Sequence, residues 1–496
     1  MPWEALNRAG LSLWRPRPAI ERPRGSAKAQ GHAIGFLVLR SASVRVLSRF
    51  SQSSNRPLIA ATETAPVKNL HSSRAAVVAP PQVALHDDRL PAAEVILGPE
   101  IVPLMELVVA EAGGTLETLM RRQVLYKPGR RLVARFAARV SSGGQVTDET
   151  LVALTDGSGP PAGCLVVGDG ERTVGVWRWP FDPYLPGLPS AIEPDRVRAV
   201  IADLGGQPGP VRLTPIAYRP GRRAVIRAVV GDQVLYFKLV PIVEAEALHQ
   251  RHVAVADQLP APVSLGWSRA LGLVALEALP GRTLRDTLAT GQALPLSESV
   301  LDLLDDVAQV EPSGLSGAAP MPSAIRRAAG HARALEAFLP GQGDRLRRLV
   351  DRLGDPAPLR PGVIHGDLHD AQLLVRDGMI SGLLDIDGLG PGDRLDDPAT
   401  LIAHLSALEA AVPRARVRVR AYSEAIVVEA GRLADPADLA HRVAATCIGL
   451  ATGPFRLQQP HWRAATLRLI ALAERWAARA DRGPATPTRV GGSASS

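Results

Sequence analysis

The stretch from Pro361 to Ala399, PGVIHGDLHDAQLLVRDGMISGLLDIDGLGPGDRLDDPA, leaves the fewest folds open. His365-Gly366-Asp367 follows the short apolar run Gly362 to Ile364. Two further runs, Leu373 to Val375 and Gly382 to Leu384, flank the turn Arg376-Asp377-Gly378. Apolar runs bounded by Asp and Gly read as strands joined by turns, here a hairpin with a loop at each open end. One loop carries Asp367 and the amide Gln372; the other carries Asp385 and Asp387. Asp367, suited to take a hydroxyl proton, precedes an amide oxygen by five residues and a second carboxylate by eighteen, which is what Mg²⁺-assisted phosphoryl transfer requires. Asp and Gly are also ordinary turn residues. Two such loops, followed by Asp393 and Asp397 ahead of an apolar helix, argue for a site instead.

The formal charge of +8 suggests nucleic acid or membrane until it is located. Up to Ala76, twelve Lys and Arg face three acids, a balance of +9; the remaining 45 basic and 46 acidic residues leave −1. The folded part is therefore close to neutral, and no nucleic-acid or membrane partner is expected. The first segment is rich in Arg, Ser, Ala and Pro and lacks periodicity, so residues 1–91 read as disordered. They form either a targeting-like leader or, the favoured alternative, the product of a start codon assigned too early. Residues 484–496 read as a disordered tail. Two cysteines, Cys164 and Cys447, provide no disulfide framework, which fits a cytoplasmic setting.

An internal repeat organises the part between. Tyr126-Lys-Pro-Gly-Arg-Arg-Leu-Val-Ala-Arg135 recurs as Tyr218-Arg-Pro-Gly-Arg-Arg-Ala-Val-Ile-Arg227, each copy a strand, a Pro-Gly turn and a returning strand. Strands follow at Glu149 to Leu154 and Gln233 to Val240. The second copy has Lys238 inside VLYFKLV, where the first has LVALTD and no lysine. A lysine within a buried strand needs a partner for its charge; snorkelling from an edge strand is the alternative.

HGDLHDAQLLV followed by LLDID resembles the aminoglycoside phosphotransferase and choline kinase family, relatives of protein kinases, with the pattern H-G-D-x-x-x-x-N, a strand pair, then D-x-[DEG]. The resemblance implies ATP and Mg²⁺. Asp367 would orient and deprotonate the acceptor hydroxyl, His365 would brace the loop, and Asp385 would ligate Mg²⁺. Gln372 stands where the family has Asn, its amide one methylene further out. Lys238 would grip the α- and β-phosphates, held by a glutamate from the helix Val243 to Leu259. Glu244 and Glu246 are the candidates; two residues apart, they diverge by about 200° on a helix, so one faces Lys238, with Glu246 favoured. No glycine-rich loop is present, and in its place the turn Pro220-Gly221-Arg222-Arg223 offers either charge to the phosphates, Arg222 foremost, or structure alone. Leu271 to Leu279 resembles the hinge strand, with Glu277 to Leu279 presenting backbone groups to adenine.

Apolar spacing of three and four predicts helices at Thr283–Leu288, Ser297–Val310, Ser323–Phe338, Gly343–Leu353, Pro398–Ala411, Ala415–Arg432, Pro436–Thr452 and Trp462–Ala480. The fold class expected is α+β, a bilobal protein-kinase-like fold: a small antiparallel-sheet lobe over 204–281 and a helical lobe over 282–483. An extra N-terminal β-rich domain over 92–203, a degenerate copy of the small lobe, precedes them. The function expected is phosphate transfer from ATP to a hydroxyl of a small molecule such as a sugar, aminoglycoside or amino alcohol. A catalytically weak nucleotide- or partner-binding pseudokinase is the alternative.

Overall fold

Strict alternation of buried and open positions along Arg223 to Val230 sets the frame of the small sheet, with Ala224, Ile226, Ala228 and Val230 all turned inward. A computed structural model describes residues 36–40, 43–46, 77–169, 171–205, 209–312, 315, 319–357 and 360–481. The chain divides into two units, Trp3–Pro183 and Tyr184–Ser496.

The first unit holds strands β1 (Phe36–Arg40) and β2 (Ser43–Val46), helices α1 (Ala93–Leu97) and α2 (Ile101–Ala110), then β3 (Thr115–Lys127), β4 (Arg131–Ser142), β5 (Gln145–Asp156), β6 (Leu165–Gly168) and β7 (Thr173–Arg178). They form one sheet in the order β2-β1-β6-β7-β5-β4-β3, antiparallel except where β1 runs parallel to β6. Packing begins before the expected start at Ala92: Val83, Leu85 and Leu90 are buried. The cause is Asp87, whose carboxylate accepts from the Tyr126 hydroxyl at 2.8 Å and the Gly129 N–H at 2.7 Å, closing the turn of the first repeat copy. Apart from β1 and β2, the expected disordered segment up to Ala76 lies outside the described residues, as does the tail from 484.

The second unit opens with α3 (Leu188–Ala191) and α4 (Pro194–Asp203), residues expected in the preceding domain. They belong here because α4 packs on β8 (Val211–Arg219) with Val197 and Ile201 buried, and the Leu204 side chain lies against Gly266. Only glycine fits at Gly187, where a Cβ would stand 2.1 Å from the Leu271 carbonyl oxygen. After β8 come β9 (Arg223–Val230), β10 (Gln233–Leu239), α5 (Ile242–Val255), β11 (Ser264–Ser268) and β12 (Leu273–Glu277). The sheet order is β11-β12-β10-β9-β8, the same as β6-β7-β5-β4-β3 in the first unit. In register, Lys238 lies opposite Val225, and the matching residue opposite Val133 is Leu154. The first copy therefore lacks both the lysine and the helix between its third and fourth strands of the repeat. In the second, α5 covers the sheet through Ala245 and Leu248, packed with Val240, Val274 and Leu276.

The helical half follows: β13 (Arg282–Thr283), α6 (Leu284–Thr290), α7 (Ser297–Gln309), α8 (Ala324–Phe338), α9 (Gly343–Leu353), β14 (Pro361–Ile364), β15 (Leu373–Arg376), β16 (Met379–Leu383), β17 (Gly390–Asp393), α10 (Asp396–Ala411), α11 (Arg416–Ala430), α12 (Pro436–Leu450), α13 (Gly453–Arg456) and α14 (Trp462–Ala480). Thr283 and Ser323 cap α6 and α8 by accepting backbone N–H groups with their hydroxyls. The expected hairpin is β15–β16, while β14 pairs with β17, so the acidic loops emerge from two short sheets, with α7 packed on β14 and α6 on β15. No helix among the described residues is long and apolar enough to cross a membrane.

Candidate active site

The loop after β14 is fixed from beneath. Asp397, buried in the first turn of α10, accepts the backbone N–H of His365 at 2.6 Å and of Gly366 at 2.9 Å. Burial raises its carboxyl above the usual range, against the pull of nearby His365 and those two N–H groups. His365 is fully buried; its Nε2 donates to the Leu384 carbonyl at 2.8 Å and its Nδ1 accepts the Asp367 N–H at 3.3 Å, a tautomer assigned from these partners. One imidazole thus ties the first acidic loop to the strand end that opens the second. Asp367 itself is exposed.

The second loop begins at Asp385, held with φ 58° and ψ 47° in the left-handed region that Asp tolerates better than most residues. Alternation along β10 turns Lys238 onto the sheet face covered by α5, with 6% exposure. Its Nζ donates to Asp385 Oδ1 at 2.7 Å and to Asp387. Arg223, at the head of β9, donates from Nη1 to Asp385 Oδ1 at 2.9 Å and Asp387 Oδ2 at 3.0 Å, and from Nη2 to Asp385 Oδ2 at 2.7 Å. Burial would raise the Asp385 carboxyl; the charges of Lys238 and Arg223 override it and hold the group well below the usual carboxylate range. Gln372 Nε2 reaches to 3.4 Å from Asp385 Oδ2, so the longer amide still arrives beside the carboxylate.

Residues 225–435 match the sequence profile of the phosphotransferase enzyme family, a span that holds Lys238, Asp367, Gln372 and Asp385. Over these residues the chain is similar to the phosphotransferase enzyme family. Among solved structures, the chain is similar to an aminoglycoside phosphotransferase of Ralstonia eutropha JMP134, at 15% identity and TM-score 0.43, over 58% of this chain and 98% of the other. It is also similar to the macrolide 2'-phosphotransferase MphH of Brachybacterium faecium, at 17% identity and TM-score 0.37, over 56% and 98%. A third likeness is to a thermostable mutant of aminoglycoside phosphotransferase APH(4)-Ia, solved with ADP and hygromycin B, at 14% identity and TM-score 0.38, over 58% and 98%. No curated protein sequence matches the chain.

Within the matched segment the glutamate expected beside Lys238 is elsewhere. Glu246 pairs with Arg269 at 3.3 Å, and Glu244 is exposed at the start of α5, its carboxyl raised by partial burial against the opposing charge of Arg222. The partners of Lys238 among the described residues are Asp385 and Asp387. Both glutamates sit in the first half of α5, whose inward positions are Ala245 and Leu248. Arg222 is exposed; Arg223 is the arginine that enters the site. At the expected hinge, the Glu277 N–H donates to the Val263 carbonyl at 3.0 Å, leaving the backbone beyond β12, up to Leu279, as the open edge.

Two residues had no sequence signal. Arg251 of α5 donates from Nη1 to the Asp387 carbonyl at 2.7 Å. Arg456 of α13 is solvent-reachable yet hemmed in by surrounding atoms; desolvation lowers its guanidinium against the attraction of Asp367. Neither lies within a motif: Arg251 touches the second acidic loop, and Arg456 is near enough to feel the charge of Asp367.

The donor set fits the Mg²⁺ that the family implies: Asp385 and Asp387 supply hard carboxylate oxygens, already drawing two cationic side chains, and the Gln372 amide lies beside them. A second cluster, His369, Asp370 and His404, brings its ligand atoms within 4.8 Å of one another. Its chemistry is different: Asp370 is taken by Arg285, with Nε at 2.6 Å and Nη2 at 3.1 Å, and the two imidazole rings stack with centroids 4.6 Å apart.

Proposed function

We propose that the second unit transfers the γ-phosphoryl group of ATP, with Mg²⁺, to a hydroxyl of a small molecule such as a sugar, an aminoglycoside or an amino alcohol. The reading is carried by the meeting of Lys238 with Asp385, 147 positions later in the chain, on the loop that His365 ties to Asp367. Asp367 orients the acceptor hydroxyl and takes its proton as the acceptor oxygen bonds to the γ-phosphorus and the bond to the ADP oxygen breaks. Lys238 balances charge on the α- and β-phosphates, and the backbone beyond Glu277, up to Leu279, receives adenine. Bound Mg²⁺, held by Asp385 and Asp387 with the Gln372 amide oxygen, supplies stabilisation of the charge that spreads over the transferring group. Positioning and electrostatics carry the rate, so the rigid tie between the loops matters as much as the carboxylates themselves.

The first unit reads as a degenerate copy of the small lobe, with Leu154 at the lysine position. A module that binds nucleotide or a partner without turnover is the second reading. It is favoured by Asp385 and Asp387 being already neutralised by two cations. ADP release by the full-length protein, measured with ATP, Mg²⁺ and a panel of hydroxyl acceptors, separates the two. Turnover that falls at least a hundredfold in Asp367→Asn, with ATP binding retained, supports the enzyme. ATP binding that ignores both Mg²⁺ and Asp385→Ala sinks it.

A further inference from the structure

We propose that Arg223 is the resident counter-cation of the metal-binding carboxylates, and that nucleotide phosphates must draw it away before a divalent ion can bind there. The inference rests on the phosphotransferase reading and adds to it an order of binding. Arg223 makes three hydrogen bonds, of 2.7 to 3.0 Å, which occupy both oxygens of Asp385 and one of Asp387. Lys238 takes the other Asp387 oxygen and shares Asp385 Oδ1. Two carboxylates thus face two cations, and an arriving dication meets a site already balanced in charge, with all four carboxylate oxygens accepting from a cation.

The repeat provides an internal comparison. In the first copy the equivalent arginine is Arg131, which pairs with Asp156, the residue opposite it across the β4–β5 ladder. In the second copy the last pair is Ala224 with Leu239, so the position matching Asp156 is Val240. The second copy keeps the arginine and lacks its local partner, which leaves the guanidinium to the Asp385 loop. The turn that launches it is fixed in place: Gly221 at φ 69° lies close against the Tyr184 ring, where a Cβ would stand 3.2 Å from Cδ2. A planar fork that grips a carboxylate in two places grips a phosphate equally well. Nucleotide therefore offers Arg223 a more highly charged partner and frees Asp385 for the metal. By linkage, nucleotide and metal then raise each other's affinity by the same factor, and Arg223 supplies part of that factor.

The test is Mn²⁺ binding to the full-length protein, followed by electron paramagnetic resonance, with and without a non-hydrolysable ATP analogue. Without nucleotide, Arg223→Gln should bind Mn²⁺ at least tenfold more tightly than the native protein, and Arg223→Lys should lie between them. Without metal, Arg223→Gln should bind the analogue at least tenfold more weakly. Arg131→Gln, in the first copy, should change neither quantity. Equal Mn²⁺ affinities of the native and Arg223→Gln proteins, both still binding the analogue, overturn the inference alone. If native protein and variants all fail to bind the analogue, the phosphotransferase reading fails and the inference goes with it. Matched circular dichroism and melting curves confirm that each variant is folded before either conclusion is drawn.

Discussion

Arg442→Met exchanges a guanidinium with 0% exposure for an apolar chain of similar length. In the native fold Nη2 donates to Asp393 at 2.8 Å, Nη1 to Asp396 at 2.8 Å and Nε to Asp438 at 3.0 Å. Removing one partner of a buried ion pair costs about 3–5 kcal/mol, because the other charge is left unpaired away from water. Three carboxylates do not triple that figure here. Asp438 keeps Arg360 at 3.0 Å, and Asp396 keeps the Ala324 N–H at 2.9 Å with Arg327 at 3.9 Å, so the largest loss falls on Asp393. Burial already raises the Asp396 carboxyl despite Arg442, and the variant raises it further. A carboxyl with a folded-state value above its unfolded one binds extra protons in the fold, so stability falls as pH rises through that window. The deficit should therefore be about 3–5 kcal/mol at pH 8 and smaller at pH 5. Urea titrations read by hydrogen exchange on peptides from α10 and α12 report this unit separately from the other. A deficit below about 1 kcal/mol, the size of one ordinary hydrogen bond, or one unchanged between the two pH values, would refute the reasoning.

Three other outcomes are expected. Lys238→Met removes a charged donor worth about 1.5–3 kcal/mol, so calorimetry should find ATP binding about 10- to 100-fold weaker, with the melting curve little changed because Arg223 stays on Asp385. Gln372→Asn withdraws the amide from its 3.4 Å approach to Asp385 and should lower Mg²⁺ affinity in the ATP complex several-fold; a gain in turnover would mean the longer amide is misplaced. Burial, with the nearby charge of His369, pushes the His404 imidazole down to about 3. The unfolded chain takes up that proton first, so stability is lost as pH falls from about 6.5 towards 3. His404→Gln should resist acid better than the native protein across that range in urea titrations, and equal acid sensitivity counts against a neutral buried ring.

The helices of the larger lobe were legible because apolar spacing, with caps such as Thr283 and Ser323, is local information. Every expected helix there ends within two residues of its observed bounds. The acidic loops were equally legible, since Asp367, Gln372 and Asp385 sit at fixed spacing around one hairpin. Side-chain pairing over long separations left no such trace. Arg223 meets Asp385 across 162 positions, and Arg442 meets Asp393 across 49; the sequence drew attention to the turn that holds Arg223, with Arg222 foremost, but to neither pairing. The same limit explains the glutamates. Helix period offered Glu244 and Glu246 alike, but which side chain Lys238 meets depends on how the second acidic loop rises against the sheet. The boundary at Tyr184 was hidden for a further reason: α3 and α4 are short, and only the packing of α4 on β8, with α3 against α4, assigns them.

The two sheets that share one strand order bear on how sequence change can spread through this protein. The first sheet stands with Leu154 where the second has Lys238, and with a turn in place of α5. What makes the frame fold, alternation and a closed Pro-Gly turn, is thus written in different residues from what makes it reactive. Substitutions at Lys238 can silence the proposed chemistry while the scaffold persists. Inactive descendants of such a chain would remain well-folded proteins, available for other uses.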